Sequence, residues 1–113
     1  MSADDIVAIY RAELKERIIV RRYTGAGTNR PRFDVPARGK SRLYNAQELV
    51  GTVVQGDQQV LILVEDLIAK KFALPLTTAD KVVVNGKEIA IIAPNTRNGE
   101  DGTLIVYDIQ ARG

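Results

Sequence analysis

The chain contains no cysteine and no histidine. Without cysteine there is no disulfide framework and no thiolate for metal or redox chemistry. Without histidine, the commonest transition-metal ligand and the commonest general base near neutral pH are both missing. Zinc sites and Ser-His or Cys-His nucleophile systems are therefore excluded, and no catalytic residue, metal or cofactor is expected. Tryptophan is absent as well, and only two Phe and four Tyr stand among 113 residues. No apolar run is longer than Val60-Leu61-Ile62-Leu63-Val64, far short of the roughly 20 residues a membrane-crossing helix requires. No membrane partner is expected. The acidic start, Met1-Ser2-Ala3-Asp4-Asp5, does not read as a secretory signal, so synthesis in a cytoplasm-like compartment is expected.

What is present fits one domain over residues 1–113, large enough to bury a core without staples. The net charge of +2 hides a polarity along the chain. Residues 11–42 carry ten Lys/Arg against three acids, whereas residues 43–113 carry six against nine. Such a basic segment points to nucleic acid, to an acidic neighbour, or to nothing more than a solvated arm.

Ile6, Ile9, Tyr10 and Leu14 recur at helical spacing behind Asp4 and Asp5, which predicts a short helix over residues 5–15. The β-branched run from Arg17 to Tyr23 predicts a strand. Residues 24–36, with Gly25, Gly27, Asn29, Pro31 and Pro36, read as a long loop. The wider basic stretch 24–42 reads as a flexible arm that orders only in an assembly, because it has too little apolar surface to offset its ordering entropy. Were residues 37–44 extended, Arg38, Lys40, Arg42 and Tyr44 would share one face. Residues 49–54 and 59–64 read as two strands around the turn Gln55-Gly56-Asp57-Gln58, the second central in its sheet. Residues 75–79 read as a connector. Lys81 to Val84, Asn85-Gly86, then Lys87 to Ile92 is a hairpin with a type I′ turn, which places Val82, Val84, Ile89 and Ile91 on one buried face. A polar loop over 94–102 and a last strand over 103–111 complete the pattern. The fold class expected is mainly β, a small antiparallel β-barrel or sandwich with a short N-terminal helix and a long basic loop.

Gly39-Lys40-Ser41 has the form of a P-loop's end. The motif, however, needs a glycine where Asp34 stands, and a carboxylate there would repel the phosphate. Gly25-Ala26-Gly27 lacks the third glycine and the following helix of a dinucleotide site. Glu65-Asp66 and Glu100-Asp101 flank loops and read as solvated acids rather than a catalytic pair. One cluster carries chemistry: Arg30, Arg32, Arg38, Lys40 and Arg42, with Phe33 and Tyr44 interleaved. Basic grooves with stacking aromatics hold nucleic acid without reading its sequence. Arg30, Arg32, Phe33, Arg38, Lys40 and Arg42 are thus the candidate contacts to DNA or to a neighbouring subunit. Glutamates at Arg38, Lys40 and Arg42 are expected to leave the monomer folded.

The stretch from Glu48 through Gln55-Gly56-Asp57 to Leu63, the block from Thr78 to Ile89, and the end, Tyr107 to Gly113, resemble the head-closure (stopper) and head-tail joining proteins of tailed bacteriophages. The resemblance spans residues 44–113 and rests on two hairpins followed by a closing strand that ends near Arg-Gly. It implies a small β-barrel subunit, monomeric when free, that forms a homo-oligomeric ring in the neck of the virion. Its partners would be a portal or adaptor protein, a tail terminator or other tail protein, and the double-stranded DNA in the channel. Assembly would take place in the host cytoplasm. The helix and the basic stretch match no motif of that family. The competing expectation is a free-standing nucleic-acid-binding module of the small-barrel kind; nothing favours a third, an enzyme accessory domain.

Overall fold

Helix α1 (Ala3–Glu13) opens the chain in the computed structural model, which describes residues 3–25, 30–48, 51 and 53–113, the side chains of Ala3 and Ala46 excepted. Asp4 and Asp5 sit in its first turn and Arg11 in its last, where the helix dipole favours each sign. The helix ends before the expected residue 15, because Leu14 leaves it to become buried with Leu63, Ile105 and Val106. Ile6, Val7 and Tyr10 pack onto that cluster, so α1 lies on the outside of the sheet.

Six strands follow: β1 (Glu16–Tyr23), β2 (Arg32–Leu43), β3 (Gln58–Leu63), β4 (Lys81–Val84), β5 (Lys87–Asn98) and β6 (Leu104–Arg112). They close into an antiparallel barrel in the order β1-β2-β3-β6-β5-β4. A barrel this small is filled by side chains. Ile18, Val20, Val35, Ala37, Val60, Ile62, Val82, Val84, Ile89, Ile91, Tyr107, Ile109 and Ala111 form one buried cluster. Helix α2 (Val64–Ala69) and the residues after it add Val64, Leu67, Phe72 and Leu76 to the same core. The Tyr107 hydroxyl, buried among them, accepts the Leu76 amide at 3.1 Å.

The Asn85-Gly86 hairpin has the expected register, with Val84 opposite Lys87 and Val82 opposite Ile89. Both turn residues have positive φ, 51° and 80°. A Cβ on Gly86 would meet nothing within 4 Å, so a side chain there costs only its backbone strain. Gly86→Val is expected to lose about 1–3 kcal/mol, read as a lower midpoint in urea.

Four expectations are corrected. The flexible arm over 24–42 is for most of its length the 12-residue strand β2, paired with β1 from Tyr23–Arg32 to Glu16–Gly39. The connection between the two strands shrinks to residues 24–31, of which 26–29 lie outside the described residues. Pro36 is tolerated because this half of β2 pairs only with β1. Its missing N–H falls on the open edge, where Arg38, two residues on, donates its own amide to Asp66 instead of to a strand, and prolines are confined to such edges.

The expected strand 49–54 is not formed in its described part. Leu49, Val50 and Thr52 lie outside the described residues, and Val53 and Val54 belong to no strand. Both edges of β3 are taken, by β2 and β6, which leaves no hairpin partner for that segment. Residues 94–98 are the end of β5 rather than a loop, paired with β6 beyond a bulge at Ile91–Ala93. There β5 has outrun β4, so Pro94 again stands where one edge has no strand beside it. The fourth correction is α2 itself, at acids expected to flank a loop. It ends in a Schellman turn: Phe72 N–H bonds Leu67 C=O, Lys71 N–H bonds Ile68 C=O, and Lys71 takes φ 61°.

Candidate nucleic-acid interface

The barrel brings Arg38, Lys40 and Arg42 into line on the outer face of β2, since residues two apart share a face. It separates them from Arg30 and Phe33 at the far end of the strand. Arg30 lies over the Tyr23 ring at 4.3 Å, and Arg32 comes within 3.6 Å of Asp34. Phe33 stacks on Phe72 with ring centroids 5.8 Å apart, while the Arg22 guanidinium lies 4.4 Å from the Phe72 centroid. Phe33 is 44% exposed, so it is half a core residue and half a surface one.

Most of this positive charge meets acid within the molecule. Arg38 grips Asp66 with Nε and Nη2 at 3.0 and 2.8 Å, and its amide bonds the same carboxylate at 2.7 Å. Arg38 Nη2 also reaches Glu65 at 3.3 Å, and Arg11 clasps Glu65 through two nitrogens. Helices α1 and α2 and strand β2 are thus tied by a four-residue charge network. Arg42 forks onto Glu48 at 2.8 and 2.7 Å. Together with the Asn45 amide it draws the Glu48 carboxyl down to about 2. At Asp66 burial pushes the pKa up, but the Arg38 bonds outweigh it and the net shift is down. Arg22 holds Asp80 at 2.8 and 2.9 Å and donates to the carbonyls of Ala73 and Pro75. The basic first third of the chain and the acidic remainder are complementary halves of one fold.

Charge reversal at Arg38 and Arg42 therefore has a structural cost that sequence reasoning missed. Arg38→Glu would set three carboxylates against one another and is expected to lower the melting temperature by several degrees. Lys40→Glu should leave it unchanged. Lys40 is exposed and has no ion-pair partner among the described residues. Thermal denaturation of the two single variants separates the cases.

Two cations on the same face were not singled out from the sequence. Lys15 and Arg17 are exposed and, like Lys40, unpaired among the described residues. The period-two pattern of β1, with Ile18 and Val20 inward, was the signal that turns Arg17 outward. Among the described residues no group of three or more His, Cys, Asp or Glu is placed to hold a metal ion, and no helix is long and apolar enough to cross a membrane.

No family model matches this chain, and no curated protein matches its sequence.

Proposed function

We propose that this protein is a structural subunit of a tailed-phage neck, assembling as a homo-oligomeric ring between portal or adaptor and tail. It closes the filled head and joins it to the tail, with no catalytic role. One observation carries the reading: the separate sequence blocks that resemble head-tail joining proteins fall on adjacent strands of a closed barrel and are bonded together. Asp57, from the Gln55-Gly56-Asp57 turn, accepts Arg112 Nε and Nη2 at 2.8 and 3.0 Å and Gln110 Nε2 at 3.0 Å. The turn before β3 and the Arg-Gly end of β6 thus make one joint. The Asn85-Gly86 hairpin lies on the next two strands. A ring of such barrels repeats each surface cation around a channel, where weak single contacts to a phosphate backbone add up without sequence readout.

Immunogold labelling of particles released from cells that carry the gene tests this reading. Label at the head-tail junction is expected, and a lesion in the gene should yield heads that leak DNA or lack tails. Particles without the protein would overturn it. Tight duplex binding by the isolated monomer would favour a free-standing nucleic-acid-binding module instead.

A further inference from the structure

Arg17 is the Cα partner of Arg38 across the β1–β2 ladder. Like charges placed directly opposite on one face of an antiparallel pair are destabilising unless an anion compensates them. Arg38 has its anions in Asp66 and Glu65. Arg17 has none among the described residues, and neither has Lys15, two residues before it. These three cations lie along an open groove of about 290 Å³ between the start of β1, the middle of β2 and α2. Two acids also line it, but both are engaged. Glu16 accepts the Ser41 amide and hydroxyl at 2.8 and 2.9 Å, and Asp66 holds Arg38. Lys40 stands two residues beyond Arg38 on the same outer face.

We propose that this groove is an anion site that takes a phosphate group, with Arg17 and Lys15 as its donors and Arg38 fixed beside them by Asp66. A guanidinium fork matches two phosphate oxygens, and an ammonium adds a point charge that needs no fixed geometry. Several cations converging on one concavity suit a group with more than one oxygen and more than one bonding direction. A backbone of phosphates in series would also engage Lys40, farther along the same face. Of the contacts expected from the sequence, Arg38 and Lys40 are kept, and Lys15 and Arg17 replace Arg30, Arg32 and Phe33, on the face where α1 hands over to β1. The neck reading supplies only the source of the phosphate, a DNA backbone; the groove's affinity for the group stands apart from it.

Amide shift mapping of the full chain at low salt, with inorganic phosphate in one titration and a short DNA duplex in another, tests the site. Phosphate should move the amides of Lys15, Glu16, Arg17 and Arg38, and the duplex should move these and Lys40. Arg17→Ala should weaken both by tenfold or more and reduce the salt slope of duplex binding by about one; Lys15→Ala provides a second, independent loss. Shifts with the duplex alone support a polymer source, and shifts with phosphate alone support a free or small-molecule phosphate. Shifts confined to Lys70, Lys71 or Lys81, shifts unchanged in Arg17→Ala, or none at all would overturn the site. Groove shifts without the protein at phage necks would overturn the neck reading and leave the site standing.

Discussion

Gly39→Ala is expected to destabilise the barrel by about 3 kcal/mol or more, the upper end of what overpacking a core costs. A Cβ built at Gly39 would lie 2.3 Å from the Leu61 carbonyl oxygen and 2.7 Å from Ile18 Cγ1. The first of these is backbone held in the β2–β3 ladder, and the second belongs to a fully buried side chain. Neither can withdraw as a flexible side-chain end would. Gly39 is also the residue at which β2 exchanges neighbours: it pairs with Glu16 of β1 and with Ile62 of β3. It is the corner through which the sheet turns into a barrel, a position glycine fills because two backbones approach closely there. Against a total stability of roughly 5–15 kcal/mol for a domain, the loss should be plain in a urea melt. Lys40→Ala, one residue away and exposed, should stay within about 0.5 kcal/mol of the parent. A Gly39→Ala midpoint equal to that control would mean that β2 does not turn at this residue.

The same glycine shows why β2 was misread. By composition, 24–42 is a stretch of breakers and cations, and Pro36 and Gly39 have places that only the tertiary structure supplies. Pro36 stands on an edge, Gly39 at a corner, and Arg38 faces an acid far along the chain, as Arg11 and Arg22 before the stretch also do. Arg38 meets Asp66 28 residues away, Arg11 meets Glu65 54 away, and Arg22 meets Asp80 58 away. A local count of charge registers the cations and misses their partners. Local rules served where the determinant was local. Asn85-Gly86 encodes its own turn, and the alternation of Tyr107, Ile109 and Ala111 marks the face of β6 turned to the barrel core. Helix α2, six residues long, is too short for a helical period to emerge beside an apolar strand. In the candidate site, Lys40 was legible as an outward cation. The pairing of Arg17 with Arg38 was not, because it depends on the β1–β2 register, which the alternation within either strand alone does not give.

Asp57→Ala is expected to cost about 2–3 kcal/mol near pH 7, and that cost should shrink as pH falls below about 4. Asp57 is only 1% exposed, yet it carries a charge that Arg112 satisfies from the rim. Gln110 Nε2 and the Val54 amide complete its bonding. Hydrogen bonds to a charged group contribute more than neutral ones, and the buried Gln110 amide would also lose its bond to Asp57. The Arg112 bonds hold the Asp57 carboxyl well below the ordinary aspartate range. Burial pushes the other way but is outweighed, and the Val54 amide and Gln110 add to the depression. A carboxyl lowered in the folded state binds its proton more readily when unfolded. Its contribution is therefore fully present above the unfolded value near 3.9 and is lost as pH falls from there toward the folded value. Glu48, drawn down to about 2 by Arg42, gives up its share between about 4.5 and 2. The parent should hold a level stability above about pH 5 and lose it steeply below 4. Asp57→Ala should start lower and fall less, so that the gap between the two urea midpoints begins to narrow below about pH 4. A gap that stays constant from pH 7 to pH 3 would show that Asp57 acts through packing alone, and the joint between the Gln-Gly-Asp turn and the Arg-Gly end would not be ionic.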